Sequence, residues 1–160
     1  MVISGGVSVG PHDHVKPALA ALGVTEIFWS VALQPGKPTW FGTLDGRQLV
    51  FGLPGNPVSA VVTFSLFVLP ALNALQGRTE APGLEAEAVL GVDVKRNPRR
   101  EQAIRVVLKR GLEPTTAVPN GAQGSHILTS LLGADALAMI PAGEGILPAG
   151  SHVALAELAQ

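Results

Sequence analysis

The 160-residue chain contains no cysteine, which excludes a disulfide scaffold and a thiolate metal site. Charge is scarce as well. Only 14% of the residues are charged and they nearly cancel, to a formal net charge of -1, which excludes a general attraction to nucleic acid or to an anionic membrane. The start, MVISGGVSVG, lacks the charged n-region and long apolar core of a secretory leader, so a cytoplasmic address is expected. The longest apolar run, residues 58–72, is interrupted by Thr63, Ser65 and Pro70 and is short for a membrane span of about 20 residues. No internal repeat or low-complexity tract is visible.

What is present is 47% hydrophobic residues, 19 glycines and 13 prolines, the composition of a globular chain with many turns rather than of a helical bundle. Residues 1–4 read as a strand entering a glycine-rich turn, 14–22 as a helix closed by Gly23, and 26–33 as extended. A strand over 39–44, a turn at Asp45-Gly46 and a strand over 48–53 follow. The next apolar stretch is too long for a strand and reads as a buried helix, with a kink at Pro70 and a stop at Gly77. This is an α/β pattern that resembles the back end of a domain whose front end is absent. The polar segment 76–83 marks a boundary. Beyond it, strand character over 84–94, 101–109, 136–140 and 151–158 predicts a small, mainly antiparallel β-barrel or sandwich, with one short helix at 125–133 capped by Ser125. The expected organisation is therefore an α/β unit at 1–77 and a β-barrel at 84–160.

Chemistry concentrates in the turns. In PGNP, Asn56 can cap the following helix and Pro57 suits its first position, so the loop offers a helix N-terminus where Gly55 admits an anion close to the backbone and Ser59 adds a hydroxyl. SGGVSVG places Gly5, Gly6 and Ser8 where the backbone can close around a phosphate or pterin-like group, although it lacks the spacing of a dinucleotide or P-loop fingerprint. Asp13 either caps the next helix or holds magnesium through water beside a phosphate. The run HDH, 12–14, reads as a structural or solvated cluster rather than a zinc site, since adjacent side chains rarely meet one ion. Lys37 lies in the rigid turn QPGKP. Lys95, Arg96, Arg99 and Arg100 crowd around Asn97-Pro98 with no aromatic between them, the pattern of a solvated hairpin tip. Arg105, between Ile104 and Val106, is either a snorkelling surface residue or a fixed anion clamp.

The motifs SGGVSVGPHDHVK, PGKP, GLPGNPVSA and QGSHILTSL, in this order, resemble the molybdopterin molybdenumtransferase family, which includes bacterial MoeA and the E domain of gephyrin. The resemblance runs from Ile3 to about Val153 and corresponds to the family's C-terminal portion. It implies insertion of molybdate into adenylylated molybdopterin with release of AMP, assisted by Mg2+. It assigns Lys37, Pro38, Ser59, Arg105 and Ser125 to an oxyanion pocket between the two halves, Gly5, Gly6 and Ser8 to the pterin side, and Asp13 to the metal. Ser30 and Gln34 stand where family members commonly carry lysine. A homodimer or higher oligomer and the N-terminal domains of the same enzyme are the implied partners, with no nucleic acid and no membrane. The alternative is a non-catalytic oxyanion-binding or assembly module with a degenerate site.

Overall fold

The computed structural model describes residues 1–8, 10, 13–78, 86–111 and 114–158. The first half forms β1 (Val2–Ser4), α1 (Val15–Ala21), β2 (Thr25–Trp29), β3 (Leu33–Gln34), β4 (Trp40–Leu44), β5 (Gln48–Leu53), α2 (Pro57–Thr63) and α3 (Leu69–Leu75). Four of these strands make a sheet of order β1-β5-β4-β2. Only β1 and β5 run parallel, while β2, β4 and β5 form an antiparallel meander turned at Asp45 and Gly46, both at positive φ. The α/β expectation holds with less parallel pairing than it implied. The extended run expected over 26–33 is broken at Ser30, where φ is +75° and the chain folds back so that the Val31 N–H donates to the Lys37 carbonyl at 2.9 Å.

Alternation along β5 sorts the sheet's two faces. Val50 packs with Val7, Leu19 and Trp40 on the α1 side, whereas Phe51 and Leu53 pack with Val68 on the other. Residues Pro57–Leu75 form one continuous helix of 19 residues, long and apolar enough by length and composition to cross a bilayer, which corrects the reading of a run too short to do so. Its irregularity is a wide π turn, Phe64–Val68, directly before Pro70, whose ring cannot donate the α-type hydrogen bond.

The second half forms β6 (Ala86–Leu90), β7 (Val94–Lys95), β8 (Glu101–Lys109), β9 (Thr116–Pro119), β10 (Ala136–Ile140), β11 (Ile146–Leu147) and β12 (His152–Glu157). Strands β8, β10, β12, β6 and β9 pair in a closed ring, because β8 bonds both β9 and β10. This is the expected C-terminal barrel. Ile104, Val106, Ala136, Ala138, Ile140, Val153 and Leu155 fill its interior. The intervening residues Ala103, Leu137, Met139 and Ala156 point outward and are equally buried, against Val58 and Val62 of α2. In addition β3, from the first half, pairs with the start of β8, Leu33 opposite Glu101 and Gln34 opposite Gln102. The long helix is thus packed between the sheet and the barrel. Most of the expected boundary at 76–83 lies outside the described residues.

The short helix expected over 125–133 is a 3₁₀ turn, Leu128–Leu131. Ser125 does not cap it. The residue before the turn is Ile127, and the Ser130 hydroxyl donates to the Ile127 carbonyl at 2.6 Å.

Candidate functional site

Two loops leave the sheet side by side at the carboxyl ends of the parallel pair β1 and β5, the usual seat of ligands in such sheets. The Gly5 N–H donates to the Leu53 carbonyl at 2.9 Å, and the Ser4 hydroxyl donates to the Pro54 carbonyl at 3.2 Å. A Cβ on Gly55 would stand a tight 3.3 Å from the Gly5 Cα, while Gly5 itself, at φ +87°, favours glycine for its backbone conformation. Gly6 is closed over by Val15, whose Cγ2 would lie 2.7 Å from an added Cβ, and Ser8 is half-buried beyond it. Asn56 caps α2 as expected, its Oδ1 accepting from the Val58 N–H at 3.1 Å and the Ser59 N–H at 3.5 Å. The cap has a cost for the anion reading of this end. Those two N–H groups are spent on Asn56, leaving the Ser59 side chain, not the helix backbone, as the main donor of this loop.

The PGKP turn leans on the same helix. Gly36, at φ +125°, lies against Thr63, where an added Cβ would be 2.5 Å from Cγ2. The Thr63 hydroxyl in turn donates to the Ser59 carbonyl at 2.8 Å, and the Thr39 hydroxyl donates to the Gly36 carbonyl at 2.6 Å. Lys37 is exposed and Pro38 half-buried at the crest of this turn. The position of PGKP is therefore set one helical turn from Ser59.

Arg105 sits on the outward face of β8 with Ala103 and is only 1% exposed, which rules out the snorkelling alternative. Its Nε and Nη2 donate to the Ser130 hydroxyl at 3.1 and 3.0 Å, and Nη2 donates to the Gly124 carbonyl at 3.4 Å. Its backbone is clasped by Gln123, whose Oε1 accepts from the Arg105 N–H at 2.9 Å. No carboxylate meets the guanidinium among the described residues, where the one ion pair joins His152 and Glu87. Burial alone pulls the Arg105 pKa below the ordinary arginine value. Ser125 follows Gly124 directly, and the 3₁₀ turn carrying Ser130 touches α2. The fold accordingly brings Arg105 and the 124–125 segment to the barrel face that packs on the helix bearing Ser59. Ser130 and Gln123 were missed in the sequence, where Ser130 is one hydroxyl among several in SHILTSLLG.

Lys37 lines a cavity of about 630 Å³ together with Ser30, Asn97, Arg99 and Arg100, whereas Ser59, Arg105 and Ser125 are not in its lining. The basic loop is thus not simply a solvated tip. Arg96 donates to the Glu144 carbonyl, and Asn97 Nδ2 donates to Gln34 Oε1 at 2.6 Å. Asp13 does not cap α1; its Oδ2 accepts from the Gly10 N–H and closes a turn. Among the described residues no three His, Asp or Glu side chains gather to hold a metal.

This architecture, a glycine-looped sheet whose helix carries a β-barrel, is that of a molybdopterin-binding unit joined to a MoeA-type C-terminal barrel. A family described as a probable molybdopterin binding domain matches residues 1–74, and the MoeA C-terminal region (domain IV) matches residues 87–158. The chain is 34% identical to the molybdopterin molybdenumtransferase of Haemophilus influenzae, over 97% of this chain and 38% of that protein. It is 35% identical to gephyrin of Dictyostelium discoideum, over 96% of this chain and 24% of that one. A crystal structure of the molybdopterin biosynthesis MoeA protein from Pyrococcus horikosii superposes with a TM-score of 0.72 at 32% identity, over 99% of this chain and 37% of that one. The chain belongs to the MoeA and gephyrin E family and corresponds to its C-terminal portion. It spans well under half the length of these relatives.

Proposed function

We propose that this chain is the portion of a molybdopterin molybdenumtransferase that receives molybdate for insertion into adenylylated molybdopterin, with release of AMP. The observation that carries the reading is Arg105, a buried guanidinium held by Ser130 and Gly124 and lacking a carboxylate partner among the described residues. A buried cation held only by neutral groups is costly, and a dianion beside it supplies the missing charge. Lys37 and the hydroxyls of Ser59 and Ser125 add a cation and two donors for a tetrahedral oxyanion, and Pro38 stiffens the turn that presents Lys37. Gly5, Gly6 and Ser8 with the abutting Gly55 and Asn56 form the wall toward the pterin.

Asp13 alone is too small a donor set for a cation, but it suits Mg2+ shared with substrate phosphates, where the ion would neutralise their charge. The name of the Haemophilus influenzae relative, a molybdopterin molybdenumtransferase, favours this catalytic reading over a non-catalytic module. The remaining domains of such an enzyme, a homodimeric assembly and a cytoplasmic address belong to the same proposal. Calorimetric titration of the chain with tungstate tests it. Binding is expected, with Arg105→Ala weakening it by about 1.5–3 kcal/mol. Unchanged affinity in a folded Arg105→Ala variant would overturn the assignment.

A further inference from the structure

Ser130 is buried, 3% exposed, on the 3₁₀ turn Leu128–Leu131, and no oxyanion contact is assigned to it. Its Oγ accepts from both Nε and Nη2 of Arg105, at 3.1 and 3.0 Å, and donates its own proton to the Ile127 carbonyl at 2.6 Å. A hydroxyl has one proton and two lone pairs, so these three bonds occupy it fully. Anchoring the proton on Ile127 turns both lone pairs toward the guanidinium.

The other side of the pair is equally defined. A guanidinium carries five N–H groups, and here the one on Nε and both on Nη2 are engaged, the last by the Gly124 carbonyl at 3.4 Å. No described residue accepts from Nη1. The Ser130 turn is itself fixed, because Asn120 Nδ2 donates to the Ser130 carbonyl at 3.1 Å and to the Leu132 carbonyl at 2.7 Å. Gln123 grips the Arg105 backbone from both sides, accepting from its N–H at 2.9 Å and donating to its carbonyl at 3.1 Å. Leu131 of the same turn packs with Val58 and Val62 of α2, the helix that bears Ser59. Ser130 is thus referenced to both the strand of Arg105 and the helix of Ser59.

We propose that Ser130 is a positioning residue for the oxyanion: it holds the Nε–Nη2 edge of Arg105, so that Nη1 is presented to the ligand, and it acts through Arg105 without touching the anion. Two bonds to one oxygen fix both the plane of the guanidinium and its rotation about Nε–Cζ. Without that oxygen only the longer Gly124 contact holds the fork. The inference rests on the reading of Arg105 as the cation that meets the anion.

Tungstate titration of the wild-type chain, Ser130→Ala, Arg105→Ala and the S130A/R105A double variant tests it. Alanine keeps the residue-130 N–H, which donates to the Ile127 carbonyl at 3.1 Å and holds the turn closed. Ser130→Ala is expected to weaken tungstate about tenfold, whereas the same change in the Arg105→Ala background should alter affinity by less than about twofold. A role in folding alone would give the same factor in both backgrounds. Ser130→Thr, which restores the hydroxyl, should bind within about threefold of wild type. Proton–nitrogen NMR supplies a readout without ligand: the Arg105 Nε–H signal should exchange slowly with water in the wild type and fast in Ser130→Ala. An Nε–H equally protected in both, or an equal loss of affinity in both backgrounds, would refute the positioning role and leave the Arg105 assignment standing. If instead Arg105→Ala leaves tungstate affinity unchanged, the Arg105 assignment falls and the role of Ser130 falls with it.

Discussion

Gln34 occupies a position where a lysine would add charge beside the proposed anion, yet its amide oxygen accepts the 2.6 Å hydrogen bond from Asn97 that ties the barrel loop to the PGKP segment. Lysine cannot accept that bond and would set an ammonium against an amide donor. Gln34→Lys is therefore expected to strengthen tungstate binding, more at low salt than at high, while lowering stability by about 0.5–1.5 kcal/mol in urea unfolding. A gain in affinity with no loss of stability would show that the Asn97–Gln34 bond contributes little. Arg105 illustrates the opposite relation. Its type and its place between Ile104 and Val106 are plain in the sequence, but its burial is not, since that depends on Ser130 and Gly124 from another part of the chain.

The element that organises the site is the helix begun at Pro57. Asn56 satisfies the N–H groups of Val58 and Ser59, and both of those residues are buried, so water cannot readily replace the cap. Asn56→Ala is expected to cost about 1–2 kcal/mol, the upper part of the range for a lost N-cap, as a lowered urea midpoint at unchanged slope. A cost near zero would mean that the PGNP loop rearranges to cap itself. This start was legible because Asn, Pro and Gly act on the backbone locally. The same holds for β8 and β10, whose bounds follow from the apolar stretches at 101–109 and 136–140. The two-residue strands β3, β7 and β11 had no such pattern, being too short to show a period. Ser125 was misread because a sequence start signal does not separate an α-helix from a 3₁₀ turn beginning three residues later.

At the scale of the molecule, the pairing of β3 with β8 and the contact of Val58 and Val62 with the barrel's outer face join the two halves into one packing unit. The chain is expected to unfold in a single transition. Both tryptophans, Trp29 and Trp40, lie in the first half, whereas most strands counted by far-UV circular dichroism lie in the second. Tryptophan fluorescence and circular dichroism should therefore give the same urea midpoint. Two separated midpoints would show that the β3–β8 pairing and the α2–barrel contact are too weak to couple the halves.

The sequence by itself determined where the chain turns, caps and alternates, because those preferences act within a few residues through backbone dihedrals, local hydrogen bonds and the two-residue period of a strand. It also carried the four motifs that mark the family. Only the tertiary structure decided that Arg105 is buried without a carboxylate among the described residues, that Asn97 reaches Gln34, and that Arg99 and Arg100 share a cavity with Lys37. Each of these joins residues distant in the chain, and it is the closure of the barrel and the docking of β3 on β8 that bring them within hydrogen-bonding or electrostatic range.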